Sequence, residues 1–132
     1  MAEFTAKHRF ARISPRKARL LMDLIRGRDV DDAMTLLRFS KQRARAMIEK
    51  VVRSAIANVT EQDVGARRNA LFVAKAWVDP GPVIKRFQPK DRGKAYPINK
   101  RTSHLVVTID EREEGAPTRM RRVVGGRPGK AR

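Results

Sequence analysis

The sequence predicts a small α+β domain that carries a long, basic β-hairpin. Three observations predict it. Apolar residues recur at helical spacing in the first half of the chain, behind recognisable helix starts. Two apolar runs of strand character, 70–78 (ALFVAKAWV) and 104–109 (HLVVTI), stand in the second half. Between them lies a segment, 81–103, too charged for a core and too long for a tight turn. The length of 132 residues suits one domain with one modest core.

Residues 3–13 (EFTAKHRFARI) alternate loosely, with Phe4, Ala6, His8 and Phe10 on one side and Lys7, Arg9 and Ile13 on the other, which reads as a short basic strand. Ser14-Pro15 starts a helix, Ser as N-cap and Pro at the first helical position. Leu20, Leu21, Leu24 and Ile25 make its apolar stripe, with Arg16, Arg19, Asp23 and Arg26 opposite, and Gly27 ends it. Asp29 caps a second, short helix, with Asp31 and Asp32 in the first turn, where the helix dipole favours acids. Its apolar side is Ala33, Leu36 and Leu37. Ser40 opens a third and longest helix, in which Ala44, Met47, Ile48, Val51, Ala55 and Val59 form the stripe while Arg43, Lys50 and Arg53 lie outside it; it ends between Thr60 and Gly65. The runs 70–78 and 104–109 are apolar at nearly every position and read as strands buried on much of both sides, with Trp77 in the core. From Glu111 the chain turns polar and rich in Gly and Arg, so 111–132 reads as a basic flexible tail.

Charge selects the class of partner. Lys plus Arg is 31 and Asp plus Glu is 14, a net charge of +17. An excess of that size repels itself in a folded chain, and a polyanion is the natural compensation. Nucleic acid fits best, because cations bound to phosphates release condensed counterions. Without cysteine there are no disulfides, thiolate chemistry or Cys-based zinc sites, which suits a reducing cytoplasm. Neither a bilayer-spanning apolar run nor a signal-peptide core at Met1-Ala2-Glu3-Phe4 is visible, so a soluble cytoplasmic protein is expected.

Two places concentrate the cations. In 81–103, Lys85, Arg86, Lys90, Arg92, Lys94, Lys100 and Arg101 face one acid, Asp91. Its apolar residues, Val83, Ile84, Phe87, Tyr96 and Ile98, are too scattered for a core. If the flanking strands continue outward, each arm has about ten residues and projects roughly 30 Å. Pro89 and Asp91-Arg92-Gly93 supply turn chemistry at the end. A solvated, unstructured loop is the plain alternative; an arm that folds onto phosphates is the functional one. The second cluster is Lys7, Arg9, Arg12, Arg16, Lys17 and Arg19, against the single acid Glu3. At 5% aromatic content, phosphate and shape readout is favoured over a base-stacking platform. His8 and His104 stand in no nucleophile or metal-ligand spacing, and no Walker loop, GxGxxG or HExxH occurs, so no enzyme and no cofactor is read.

Three stretches carry a family resemblance: ISPRKARLLMDLIRG, AMIEKVVRSAIANV, and GPVIKR…GK…NKRTSHLVVTI. They resemble the first helix, the long helix, and the hairpin with its returning strand of the bacterial large-subunit ribosomal protein twenty-two family. Lys85, Gly93, Lys94, His104, Leu105, Val107 and Ile109 fit the family's spacing over about 5–110. Lys90 stands where the family has Arg or His, and Asp91 where it has a small residue. The resemblance implies three helices packed on a small antiparallel sheet, with the hairpin extended. It implies a structural role in large-subunit assembly, an rRNA-binding domain over 1–110 and no catalysis. Lys85, Arg86, Lys94, Lys100, Arg101 and His104 would then lie along rRNA, together with the N-terminal cluster. The tip, Phe87, Gln88, Pro89, Lys90, Asp91 and Arg92, would line the nascent-peptide exit tunnel opposite a loop of large-subunit protein four. A free-standing nucleic-acid regulator would need a base-reading element, and a membrane-surface protein an amphipathic helix with lipid-facing aromatics. Neither is visible, and an enzyme acting on RNA lacks a catalytic constellation.

Overall fold

The first and last strands pair with each other, which closes the two ends of the described fold into one sheet. In this computed structural model, residues 3–62 and 68–112 are described. Strand β1 (Phe4–Ala11) pairs antiparallel with β5 (Ser103–Glu111), whose other edge pairs antiparallel with β2 (Leu71–Pro80), giving the order β1-β5-β2. Helices α1 (Pro15–Ile25), α2 (Val30–Phe39) and α3 (Ala44–Gln62) follow β1, and α1 and α3 pack on one face of this sheet. A second sheet consists of β3 (Ile84–Pro89) and β4 (Ala95–Lys100) alone. The α+β class with an extended hairpin is therefore as expected. The tail beyond Arg112 lies outside the described residues.

The core lies between helices and sheet. Leu21, Met22 and Ile25 of α1, Val30 and Leu37 of α2, and Ile48, Val52 and Val59 of α3 meet Val73, Leu105, Val107 and Ile109. As the central strand, β5 is buried on both faces over Leu105–Ile109. β2 instead alternates: Leu71, Val73, Ala76 and Val78 face the helices, while Trp77 remains 39% exposed on the outer face. The expectation of a two-sided burial for β2, and of Trp77 in the core, is corrected. β2 is an edge strand with helices on one side only, and its indole Nε1 donates to Asp79 Oδ2 at 3.1 Å.

Helix faces needed similar correction. α1 buries Ala18, Leu21, Met22 and Ile25, whereas Leu20 and Leu24 are 58% and 45% exposed. The stripe is rotated toward the small Ala18, which is fully buried. α2 buries Val30 and Met34 beside Ala33 and Leu37, and leaves Leu36 at the surface. α3 begins at Ala44, not Ser40, which terminates α2 through its amide bond to Leu36 O. The α3 stripe is as expected, with Val52 added. Neither Ser14 nor Asp29 makes a side-chain cap hydrogen bond; Asp29 pairs with Arg112 at 3.0 Å. After α1, Gly27 takes φ +78, a left-handed conformation that suits glycine, and its N–H donates to Val73 O.

The free edge of β2 is covered by arginine. Arg26 donates through Nε and Nη2 to Ala76 O at 3.0 and 2.6 Å, and Arg19 Nη2 donates to Val78 O at 3.1 Å. These guanidinium groups satisfy carbonyls that would otherwise invite another strand.

Candidate nucleic-acid interface

The hairpin is a ribbon without a core. Its ladder runs from Ile84↔Lys100 to Pro89↔Ala95, six residues per arm, shorter than the ten expected. The pairing stops at 81–83 and 101–102, where the chain leaves one sheet for the other. All of β3 and β4 is exposed except the half-buried Ile84, and Phe87 is 73% exposed. Alternation puts Ile84, Arg86, Gln88, Tyr96, Ile98 and Lys100 on one face, and Lys85, Phe87, Pro89, Ala95, Pro97 and Asn99 on the other. Both arms are edge strands, and Pro89 and Pro97 remove donors from those edges, which blocks further strand pairing.

The tip is a tight turn over Asp91–Gly93, closed by the Lys90 N–H donating to Lys94 O at 2.8 Å. Both Arg92 (φ +62) and Gly93 (φ +69) are left-handed; for arginine that conformation costs about 1 kcal/mol. The Lys90 ammonium sits 4.9 Å from the Tyr96 ring centroid, a cation–π contact across the end of the ribbon.

The root of the hairpin is packed closely. Gly81 N donates to Thr102 O at 2.9 Å, and Thr102 Oγ1 donates to Pro82 O at 2.6 Å. A Cβ on Gly81 would stand 2.5 Å from Thr102 Oγ1, so only glycine fits. Thr102 is buried, as is Ser103, whose Oγ has no hydrogen-bond partner.

Beside this root the structure joins the two basic clusters. A cavity of 490 Å³ is lined by Arg12, Ile13, Ser14 and Lys17 from the start of α1, Arg43 from the start of α3, and Lys100 and Arg101 from the end of β4. Five of these are cations and none is an acid. A smaller cavity of 300 Å³ adjoins it, sharing Ile13, Lys17 and Arg43.

The remaining expected residues lie elsewhere. Lys85, Arg86 and Lys94 are out along the hairpin, and Arg16 is exposed on α1. Arg19 is engaged with β2. Lys7 is exposed on β1 opposite Val106, on the sheet face away from the helices. Arg9 and Phe10 occupy a bulge in β1 that throws Phe10 outward at φ +57, not onto the side of Phe4 and Ala6. His104 fastens this bulge: its Nδ1 accepts the Phe10 N–H at 3.0 Å and its ring meets Phe10 edge-on.

Arg43 was missed as a site residue. Its signal was in the sequence: α1 and α3 both begin with cations and no acid, against the helix dipole, whereas α2 begins with Asp31 and Asp32. Among the described residues no group of three or more His, Cys, Asp or Glu could hold a metal ion, and no helix is long and apolar enough to cross a membrane.

Residues 6–110 match the model of a family described as ribosomal protein L22p/L17e. The chain is 50% identical over 109 residues to the large ribosomal subunit protein uL22 of Lacticaseibacillus casei, covering 83% of this chain and 92% of that protein. It is 49% identical over 111 residues to uL22 of a Thermoanaerobacter species, covering 84% and 99%.

Proposed function

The chain belongs to the ribosomal protein L22p/L17e family, and on that premise we propose that it is a structural constituent of the large ribosomal subunit that holds large-subunit rRNA along its basic surface. The family is one of ribosomal structural proteins, not of enzymes. The reading sets the protein in the cytoplasm, on the ribosome. One observation carries it. The β3–β4 ribbon is paired and aimed, yet it is exposed on both faces and strongly positive, so it gains nothing from the protein's own core. Such an element is stabilised by what surrounds it, and RNA phosphate is the surrounding that its charge demands.

In this reading Lys7, Arg9, Arg12, Arg16, Lys17 and Arg19 bind rRNA at the domain, Lys85, Arg86, Lys94, Lys100 and Arg101 bind it along the hairpin, and His104 binds it from β5, beside the β1 bulge. The domain spans 1–110 with the hairpin included, and 111–132 is a basic extension. The tip from Phe87 to Arg92 lines the nascent-peptide exit tunnel, facing protein four across the constriction and the nascent polypeptide within it. Co-sedimentation with large subunits through a high-salt cushion tests membership: the protein stays with the particle, whereas a peripheral binder washes off. Crosslinking from a photoreactive residue at position 88 tests the tip. The products expected are a stalled nascent chain and tunnel-wall rRNA; crosslinks confined to the subunit exterior contradict the assignment.

A further inference from the structure

We propose that the cavity between the hairpin root and the first turns of α1 and α3 seats a backbone phosphate of the bound RNA, and that its occupation sets the direction of the hairpin. The inference rests on the rRNA-binding reading above and adds a site and a linkage to it.

The cavity draws on two bodies that touch little elsewhere. Arg12, Lys17 and Arg43 belong to the helical domain, and Lys100 and Arg101 to the hairpin. The two sheets share no ladder, and the join is the pair of segments 81–83 and 101–102, held to each other by the Gly81–Thr102 and Thr102–Pro82 hydrogen bonds. Lys100 and Arg101 immediately precede Thr102. A force on these two cations therefore acts directly on the joint.

Empty of anions, the cavity confronts five like charges with no carboxylate among its lining residues. Repulsion between the domain's three cations and the hairpin's two pushes the root away from α1 and α3. A phosphodiester in the cavity reverses that force, because each side is drawn to the same charge. The starts of α1 and α3 add to the attraction for an anion, and Ser14 Oγ, which caps no amide of its own helix, is free to donate to a phosphate oxygen. Cations in those first turns are unfavourable without an anion and favourable with one. The volume admits a phosphate group, whereas a stacked base is unsuited to walls made of guanidinium and ammonium tips around Ile13.

The same chemistry could come from free phosphate, so two probes are used on the full chain: inorganic phosphate, and a short single-stranded RNA. Amide NMR follows binding, and residual dipolar couplings report the orientation of β3–β4 against β1-β5-β2. Both probes are expected to shift Ser14, Lys17, Ala44 and Thr102 first, and saturation to bring the couplings of both sheets to one fixed relative orientation. The RNA reaches saturation at lower concentration. Arg43→Gln changes an exposed residue outside the hairpin; it is expected to weaken phosphate binding roughly tenfold. At the phosphate concentration that aligns the wild type, the variant's hairpin stays unaligned while the β1-β5-β2 sheet is unchanged. Shifts spread evenly over Lys85, Lys94 and the cavity would overturn the site. Cavity shifts without any change in hairpin alignment would overturn the linkage. If the protein enters large subunits but phosphate leaves the cavity amides unmoved, this inference fails and the rRNA-binding reading stands. If phosphate aligns the hairpin but the protein stays off the subunit, the reverse holds.

Discussion

The β5 strand and the β3–β4 ribbon are built on the same geometry and stabilised by opposite means. Both are antiparallel and follow the period of two. β5 runs between two partner strands, with Leu105, Val107 and Ile109 against the helices and Val106 and Thr108 covered on the other face. The ribbon has one partner per strand and almost no burial. Backbone pairing alone is marginal in water, since two-stranded hairpins lack a hydrophobic face to offset the entropy of ordering. β5 is therefore part of the folding unit, whereas on the rRNA-binding reading the ribbon depends on a ligand.

The largest effect that sharpens this contrast is on stability. Ile109→Ala is expected to cost about 2–5 kcal/mol, as large-to-small changes at fully buried sites do. Phe87→Ala is expected to stay within about 0.5 kcal/mol, as exposed changes do. Urea unfolding followed by helical circular dichroism measures both; a comparable loss from Phe87→Ala would mean that the ribbon packs on the domain.

Next in size is binding. Affinity for large-subunit rRNA should fall steeply with salt, and each phosphate contact removed should reduce the slope of log K against log salt by about 0.9. Neutralising Arg16 and Lys17 should lower it. Arg19 should contribute less of the slope and more of the stability, because its guanidinium already serves Val78 O. Filter binding from low to high salt reads this, and a flat dependence contradicts phosphate contact.

Removing the tip, Phe87 to Arg92, should leave the domain folded and still incorporated. The change should appear in sequence-dependent stalling and in the action of drugs that sit in the tunnel. Ribosome profiling of cells carrying only the shortened protein is the measurement. Failure to assemble would make the tip an assembly element, and unchanged stalling and drug response would remove it from the tunnel.

The smallest expected effect is at the turn. Arg92→Gly relieves a left-handed arginine and should stabilise the free hairpin by at most about 1 kcal/mol. Cross-strand NOEs between Gln88 and Tyr96 would report it; a fall would mean that the Arg92 side chain orders the turn.

What could be read from the residues follows the same division. The α3 stripe was legible because one long helix shows several turns of its period. In α1 the short stripe could be drawn through Leu20 and Leu24, and only the packing shows that Ala18 and Met22 face inward. Trp77 looked like core because hydrophobicity does not say whether a strand is central or an edge. The hairpin and its charge were plain, but its six-residue ladder was not, since the break depends on the fit of Gly81 against Thr102. The cavity was the least legible feature. It joins residues far apart in sequence, and the only local hint was the reversed charge at the starts of two helices.

The central claim is that the ribbon is ordered by RNA and the sheet by its own core. Amide hydrogen exchange of the same protein, free and within the large subunit, tests it most directly. The amides of β5 should be protected in both states. Those of β3 and β4 should exchange quickly in the free chain and slowly in the subunit. Protection of β3 and β4 in the free chain equal to that of β5 would contradict the account.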